Sequence, residues 1–211
     1  WESETTVIVV YKDGQIHRFV RHENLEGVLD IMHEAAVLVS FNGGSFDVPR
    51  VLETFHIPQL PAPHIDLRWV CYHHGLAGGL KCIERELGLA RPAELSGVDG
   101  LEAVRLWQQW DGFGDRGARQ RLLRYCSADV LGLCWVTAKV LQRQGCDVVC
   151  PSFEEMWKAA CPADDNEVCG YDMMRTDVRP SDQQQRATPP AEPDILHSRL
   201  RRQWNRWRQW Q

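Results

Sequence analysis

The chain has 211 residues, of which 44% are hydrophobic and 25% charged, a composition typical of one globular domain with a core. No apolar run approaches the roughly 20 residues of a membrane-spanning helix, and no basic start precedes an apolar segment as in a secretory signal. We therefore expect no membrane partner. The first residue is Trp1 rather than Met, which indicates a fragment or a processed product of something longer.

The net charge of −5 is unevenly distributed along the chain. Residues 179–211 hold seven Arg against three acidic residues, a sum of +4 that leaves −9 for the preceding 178 residues. An acidic body argues against a protein that binds duplex nucleic acid by bulk charge alone. It is compatible with a site lined by carboxylates.

The chain contains eight cysteines, none of which forms a C-x-x-C pair. Several stand beside Leu, Ile and Val, where a free cysteine behaves as a small hydrophobic residue. We therefore predict a reducing, cytoplasmic location without a disulfide framework.

The first part of the chain alternates strand and helix patterns. Two β-branched runs, residues 7–11 and 15–20, flank an Asp-Gly pair, which predicts a β-hairpin. Residues 24–36 have helical spacing with Asn24 as the expected N-cap, and an apolar run over residues 36–41 predicts a strand. Pro49 opens a predicted helix over residues 49–55.

The second part is mostly helical. A short strand over residues 64–67 precedes predicted helices over 69–73, 79–87, 101–110 and about 115–144, and Asp99 and Asp115 are expected helix caps. Strands first and helices later, with alternation between them, favour an α/β fold with a mixed sheet flanked by helices.

Composition divides the chain into three regions. Residues 1–150 form the predicted domain, and residues 151–194 are polar and broken by Pro, which predicts a disordered linker. Residues 195–211 form a basic helix or tail rich in Trp and Arg. This composition suits single-stranded nucleic acid or an anionic membrane surface, and it equally suits an extension that is not native to the domain.

Two motifs could carry chemistry. In FNGGSFDVP, residues 41–49, a strand and a glycine turn present Asp47 at the opening of a helix, where it is either a ligand or only a helix N-cap. In YCSAD, Tyr125 and Asp129 lie one above the other on a helix face. A carboxylate with a phenol one turn away could hold a metal and orient a water; the alternative is a solvated Asp beside a partly buried Tyr.

Two further residues are candidate substrate contacts. Asn42 precedes the glycine pair and could touch substrate, or it is only a turn residue. Lys81, at the start of a helix, could reach a phosphate, or it is an ordinary solvated lysine.

The ordered set of segments FNGGSFDVPRVL, HIDL, GLKCIERELGL, VDGLEAVRLW and LLRYCSADVLGL resembles the DEDD exonucleases of the ribonuclease H-like superfamily. It is most similar to the YprB-like branch, whose last motif is of the Tyr-x-x-x-Asp type. The resemblance covers roughly Thr6 to Gln144.

The resemblance implies a sheet of about five strands and two divalent ions, about 4 Å apart, which activate water and stabilise the charge of both reacting oxygens. It implies four carboxylate ligands: two from a D-x-E on the first strand, one from Asp47 and one from Asp129. Tyr125 would position the attacking water, and Asp66 would support the ligands without touching a metal. Carboxylate oxygens select Mg²⁺ or Mn²⁺.

The first strand of that family is incomplete here. Glu2-Ser3-Glu4 is the nearest approximation to D-x-E, and only Trp1 precedes it, so Glu2 and Glu4 are the sole candidates for these two ligands. We therefore expect the first strand to be absent from this chain, or to be supplied by a larger polypeptide or a partner. Without it the chain would be catalytically compromised.

The function expected from these features is metal-dependent 3′–5′ exonuclease hydrolysis at single-stranded DNA or RNA ends. Two alternatives stay open. One is a non-catalytic RNase H-like module that binds nucleic acid or a protein partner. The other is a proofreading-type domain detached from a polymerase or helicase.

Overall fold

The computed structural model describes residues 5–95 and 98–161. The basic Trp/Arg-rich segment 195–211 and most of the predicted linker lie outside the described residues. Within the part that is described, no helix is long and apolar enough to cross a membrane.

The predicted hairpin is confirmed. Strand β1 (Val7–Lys12) pairs antiparallel with β2 (Gln15–Val20), in a register that places Val7 opposite Val20 and Lys12 opposite Gln15. Asp13 and Gly14 join the strands with φ of 51° and 81°. Both residues have positive φ, as a type I′ turn requires, and this turn matches the natural twist of two antiparallel strands.

A second pair of strands follows. Strand β3 (Leu38–Ser40) pairs parallel with β4 (His64–Asp66), with Val39 opposite Ile65. The crossover between them contains a short 3₁₀ turn (Gly43–Ser45) and helix α2 (Asp47–Phe55). A parallel pair needs such a crossover because the chain must return to the same end of the sheet.

The two strand pairs are separate sheets but share the same neighbours. Within residues 5–95 and 98–161, ladder hydrogen bonds join only β1 to β2 and β3 to β4. Ile8 and Leu38 nevertheless pack on one hydrophobic cluster, and Tyr11 and Val39 pack on another. The α/β class is confirmed. The resemblance implies one sheet of about five strands, but the described residues hold four strands in two separate pairs.

The remaining elements are helices. They are α1 (Val28–Glu34), α3 (Leu67–His73), α4 (Leu80–Glu86), α5 (Gly100–Phe113), α6 (Arg116–Arg143) and α7 (Phe153–Ala160). The predicted caps Asp99 and Asp115 are confirmed, because their carboxylates accept backbone N–H groups of α5 and α6.

The prediction that Asn24 caps the first helix is wrong. Its side chain makes no cap hydrogen bond with the 3₁₀ turn (Leu25–Gly27) that precedes α1. Asn24 Oδ1 instead accepts from the N–H of Val20 at 2.8 Å, and Nδ2 donates to the carbonyl of Arg18 at 3.1 Å. Both polar atoms of the Asn24 amide therefore bond the backbone at the end of β2, and neither is left to cap the helix.

Helix α7 lies in the segment that the sequence assigned to a disordered linker, so this part of the prediction does not hold. Phe153, Met156 and Trp157 are buried in the same cluster as the apolar face of α6, at a spacing that gives α7 one apolar side. Arg18 joins β2 to α6 and α7. Its Nε donates to Ser127 Oγ at 3.0 Å, and its Nη2 donates to the Ala160 carbonyl at 2.7 Å.

Candidate active site

The first group of candidate residues surrounds the ends of β3 and β4. We call Asn42, Asp47, His64, Asp66 and Arg68 the strand-end cluster. The carboxyl ends of neighbouring parallel strands meet at one edge of a sheet, which is where α/β folds place their ligands. The register that pairs Ser40 with Asp66 brings the glycine turn after β3 against the end of β4.

Asp66 organises this turn. Its Oδ1 accepts from the N–H of Asn42 at 2.7 Å and from that of Arg68 at 3.1 Å, and Oδ2 accepts from the N–H of Gly44 at 3.1 Å. A Cβ on Gly44 would lie 3.3 Å from Oδ2, so the backbone approaches the carboxylate closely. The carboxylate is thus committed to three backbone donors and fixes the turn.

Asp47 is the first residue of α2, and its side chain does not cap the helix, whose N-cap is Phe46. A Cβ on Gly43 would lie 3.3 Å from its Oδ2. Burial of the carboxyl raises the pKa of Asp47, the charge of Asp66 raises it further, and the charge of His64 opposes them. A cation near Asp47 would offset both the burial of its carboxyl and the repulsion from Asp66.

The polar neighbours of these carboxylates are engaged as well. Asn42, with φ of 61°, accepts at Oδ1 from Ser45 Oγ at 3.1 Å and from Arg68 Nη1. His64 Nε2 lies 2.8 Å from Ser40 Oγ. Burial lowers the pKa of His64 although Asp66 and Asp47 oppose that shift, so its ring is neutral over a wider range of pH.

The second group lies on α6 and the segments packed against it. We call Lys81, Glu84, Arg91, Tyr125 and Asp129 the α6 cluster. Burial raises the pKa of the Tyr125 phenol, and the charge and hydrogen bonding of Asp129 raise it further. Tyr125 is therefore a protonated hydrogen-bond donor at neutral pH.

Arg91 joins this helix face to α4. Its Nε donates to Glu84 Oε2 and its Nη2 to Glu84 Oε1, both at 2.7 Å, while Nη1 donates to Asp129 Oδ1 at 2.5 Å. The Glu84 side chain is 2% exposed and that of Arg91 14%. Burial alone would lower the pKa of Arg91, but the hydrogen bonds and charges of Glu84 and Asp129 outweigh it and raise that pKa.

Gly132 of α6 makes room for this pair. A Cβ at this position would lie 1.9 Å from Glu84 Oε1. The absence of a side chain on α6 therefore allows the buried carboxylate to lie directly against the helix.

Lys81 completes the α6 cluster. Its Nζ donates to the carbonyl of Val98 at 2.8 Å, lies 3.5 Å from the Tyr125 hydroxyl and stands 4.7 Å from the centre of the Tyr125 ring. This is a cation–π contact in a half-buried setting. Lys81, Tyr125 and Asp129 are thus neighbours, as are Asn42, Asp47 and Asp66, and no described contact joins the two groups.

The described residues do not fit a two-ion site by themselves. Over residues 5–95 and 98–161, no three His, Cys, Asp or Glu side chains converge as metal ligands. Asp66 is committed to backbone donors and Asp129 to Arg91. The remaining carboxylate candidates, Glu2 and Glu4, lie outside the described residues.

Sequence reasoning missed Glu84 and Arg91. A signal for Glu84 exists: it occupies a position in the stripe of Leu80, Ile83 and Leu87, where the helical spacing predicts an apolar residue. A charge in such a stripe needs a buried partner. Arg91 stands in the segment after α4 and carries no comparable local signal.

Comparison with known proteins gives one family. Searches of curated proteins and of solved structures gave no match. A sequence model described as the RNase H superfamily matches residues 2–141, which is two thirds of the chain. The chain belongs to the RNase H superfamily.

Proposed function

We propose that this chain is a metal-dependent 3′–5′ exonuclease domain that acts on single-stranded ends of DNA or RNA. Membership of the superfamily associates it with nuclease or other nucleic-acid-related activity. The observation that carries the proposal is the placement of Tyr125 and Asp129 one turn apart on α6, with Lys81 of α4 packed against Tyr125.

These residues have complementary roles in the proposed reaction. In the proposed reaction the single O–H of Tyr125 turns from Asp129 to donate to, and so position, a water or a phosphate oxygen. Lys81 offers a positive charge for the phosphate, and its contact with the Tyr125 ring holds both side chains in place. Asp47 stands at the strand-end cluster as the second carboxylate of the proposed site.

The proposal requires carboxylates beyond those described, for Mg²⁺ or Mn²⁺. We propose that a strand bearing them joins the two sheets, either from the segment with Glu2 and Glu4 or from a larger polypeptide or partner. All residues of β1 and β3 are only half buried, and both strands pack on the same two hydrophobic clusters. The many cysteines of the chain favour a cytoplasmic setting for this activity.

A 3′-labelled single-stranded oligonucleotide with Mg²⁺ or Mn²⁺ tests the proposal. Tyr125→Phe and Asp129→Asn should each lower the rate about 100-fold or more, the scale of a lost proton-transfer or positioning group. Tyr72→Phe and Asp111→Asn are matched controls, because both residues are exposed on other helices.

Two outcomes decide the matter. Activity unchanged by Asp129→Asn would reject the site assignment. If the chain is inactive and becomes active only when a strand bearing two further carboxylates is supplied, the lack of those ligands is the cause.

A second candidate function is binding of nucleic acid without hydrolysis. The observation that favours it is the ion pair between Arg91 and Asp129, which occupies a proposed metal ligand. Fluorescence anisotropy of a labelled oligonucleotide with EDTA present measures binding alone. Retained binding, together with no hydrolysis even after a first strand is supplied, would favour this function over the exonuclease.

A further inference from the structure

We propose that Arg91 acts as a built-in counter-cation that blocks metal binding at Asp129 until the ion pair opens. This rests on the proposed function, since it concerns the regulation of the same site. The Arg91–Asp129 pair stands where the metal-ligand role assigned to Asp129 would require a divalent ion.

The Arg91–Asp129 pair is part of a buried network and is not an isolated surface contact. Glu84 is 1% exposed and binds the guanidinium through two parallel hydrogen bonds, a geometry that fixes the orientation of an arginine. Gly132 leaves the space in α6 that this arrangement needs. The remaining terminal nitrogen, Nη1, is thereby directed at Asp129.

The charges explain the block. If Arg91 moved away from Glu84, a buried carboxylate would lose its counter-charge. The guanidinium therefore stays bonded to Glu84, which keeps Nη1 beside Asp129. A divalent ion at Asp129 would meet the guanidinium at close range, and like charges repel most strongly in a half-buried site. Metal binding at Asp129 therefore requires Nη1 to move away.

A metal titration of the 211-residue chain tests this. Mn²⁺ binding is followed by water-proton relaxation in the wild type and in Glu84→Gln/Arg91→Gln, which removes one charge of each sign and leaves the net charge unchanged. We expect the double variant to bind Mn²⁺ about tenfold more tightly or better. Adding Asp129→Asn should cancel that gain.

The matched control is Glu154→Gln/Lys158→Gln, which removes an exposed ion pair of α7 and should leave the Mn²⁺ affinity unchanged. If the Gln pair does not fold, Glu84→Met/Arg91→Met serves instead, because buried ion pairs can often be replaced by apolar residues of similar size. The same gain is expected.

The proposal is overturned if the affinity of the double variant equals that of the wild type, or if the gain survives Asp129→Asn. Its failure is distinguishable from that of the exonuclease. Hydrolysis that depends on Asp129 with a metal affinity indifferent to Arg91 rejects only the block. An Asp129-dependent gain in Mn²⁺ affinity in the double variant, without hydrolysis even when a strand bearing further carboxylates is supplied, rejects only the exonuclease.

Discussion

The strand-end cluster and the α6 cluster hold their carboxylates in different ways. At the strand ends, Asp66 is held by backbone N–H groups, which the path of the chain itself supplies. On α6, Asp129 is held by Arg91, a side chain 38 residues away that is itself fixed by Glu84. The first carboxylate fixes a turn, and the second depends on a buried network of charges.

The difference shows which site can change. Rotation of Asp66 would leave three backbone N–H groups without their acceptor, whereas opening the Arg91–Asp129 pair breaks one hydrogen bond between two side chains. The α6 cluster is therefore the adjustable half of the candidate site and the strand-end cluster the fixed half. Three substitutions separate these two behaviours.

Gly132→Ala should have the largest effect on stability, because the added methyl group would displace the Glu84 carboxylate of the α6 cluster. The new Cβ would lie 1.9 Å from Glu84 Oε1 and force the carboxylate away from Arg91. We expect the free energy of unfolding to fall by roughly 3–5 kcal/mol, as for a broken buried ion pair, measured by denaturant titration.

The control for this change is Gly112→Ala in α5, where a Cβ would meet nothing within 4 Å. It should stabilise the chain by about 0.5–1 kcal/mol through helix propensity. A loss below about 1 kcal/mol for Gly132→Ala would mean that the buried pair contributes little to stability.

Asp66→Asn should have an intermediate effect, confined to the strand-end cluster. It replaces one acceptor oxygen by an NH₂ group that cannot accept from the Asn42 or Gly44 N–H, and it removes the charge. We expect a loss of about 2 kcal/mol, the scale of a hydrogen bond to a charged group. Hydrogen exchange should speed up at Asn42 and Gly44.

Asp30→Asn, an exposed carboxylate of α1, is the matched control and should be close to neutral. Unchanged exchange at Asn42 and Gly44 in Asp66→Asn would show that this turn holds its shape without the carboxylate.

His64→Gln should have the smallest effect, visible only as a change in pH dependence. Burial lowers the pKa of His64, so on acidification the unfolded chain takes up a proton at this residue before the folded chain does. The wild type should lose stability as pH falls below about 6.5, the unperturbed value for histidine. His64→Gln should lose less between pH 7 and pH 5; equal slopes for the two proteins would contradict a lowered pKa.

Local patterns in the sequence were enough to predict the elements. The Asp13-Gly14 turn, the short strand predicted over residues 64–67 and the caps Asp99 and Asp115 depend on neighbours a few residues apart, and the structure has them. Local competition explains the error at Asn24, whose amide closes a strand instead of a helix.

The buried network could not be predicted in the same way. Arg91 meets Glu84 and Asp129 only because α4 and α6 pack together, and Gly132 leaves the room that the Glu84 carboxylate needs there. The YCSAD spacing and the family resemblance gave Tyr125 and Asp129 as a pair but no reason to expect an arginine bonded to Asp129. Helix α7 was missed because its eight residues stand in polar, Pro-containing surroundings.

Arg18 has a consequence for the order of folding. Its hydrogen bonds reach Ser127 and Ala160, which are 109 and 142 residues away along the chain. Hairpins and helices form in microseconds, whereas contacts this distant in sequence form late because a long loop must close first. We expect the β1–β2 hairpin to form early during synthesis and to gain this anchor only after the ribosome has released the residues through Ala160.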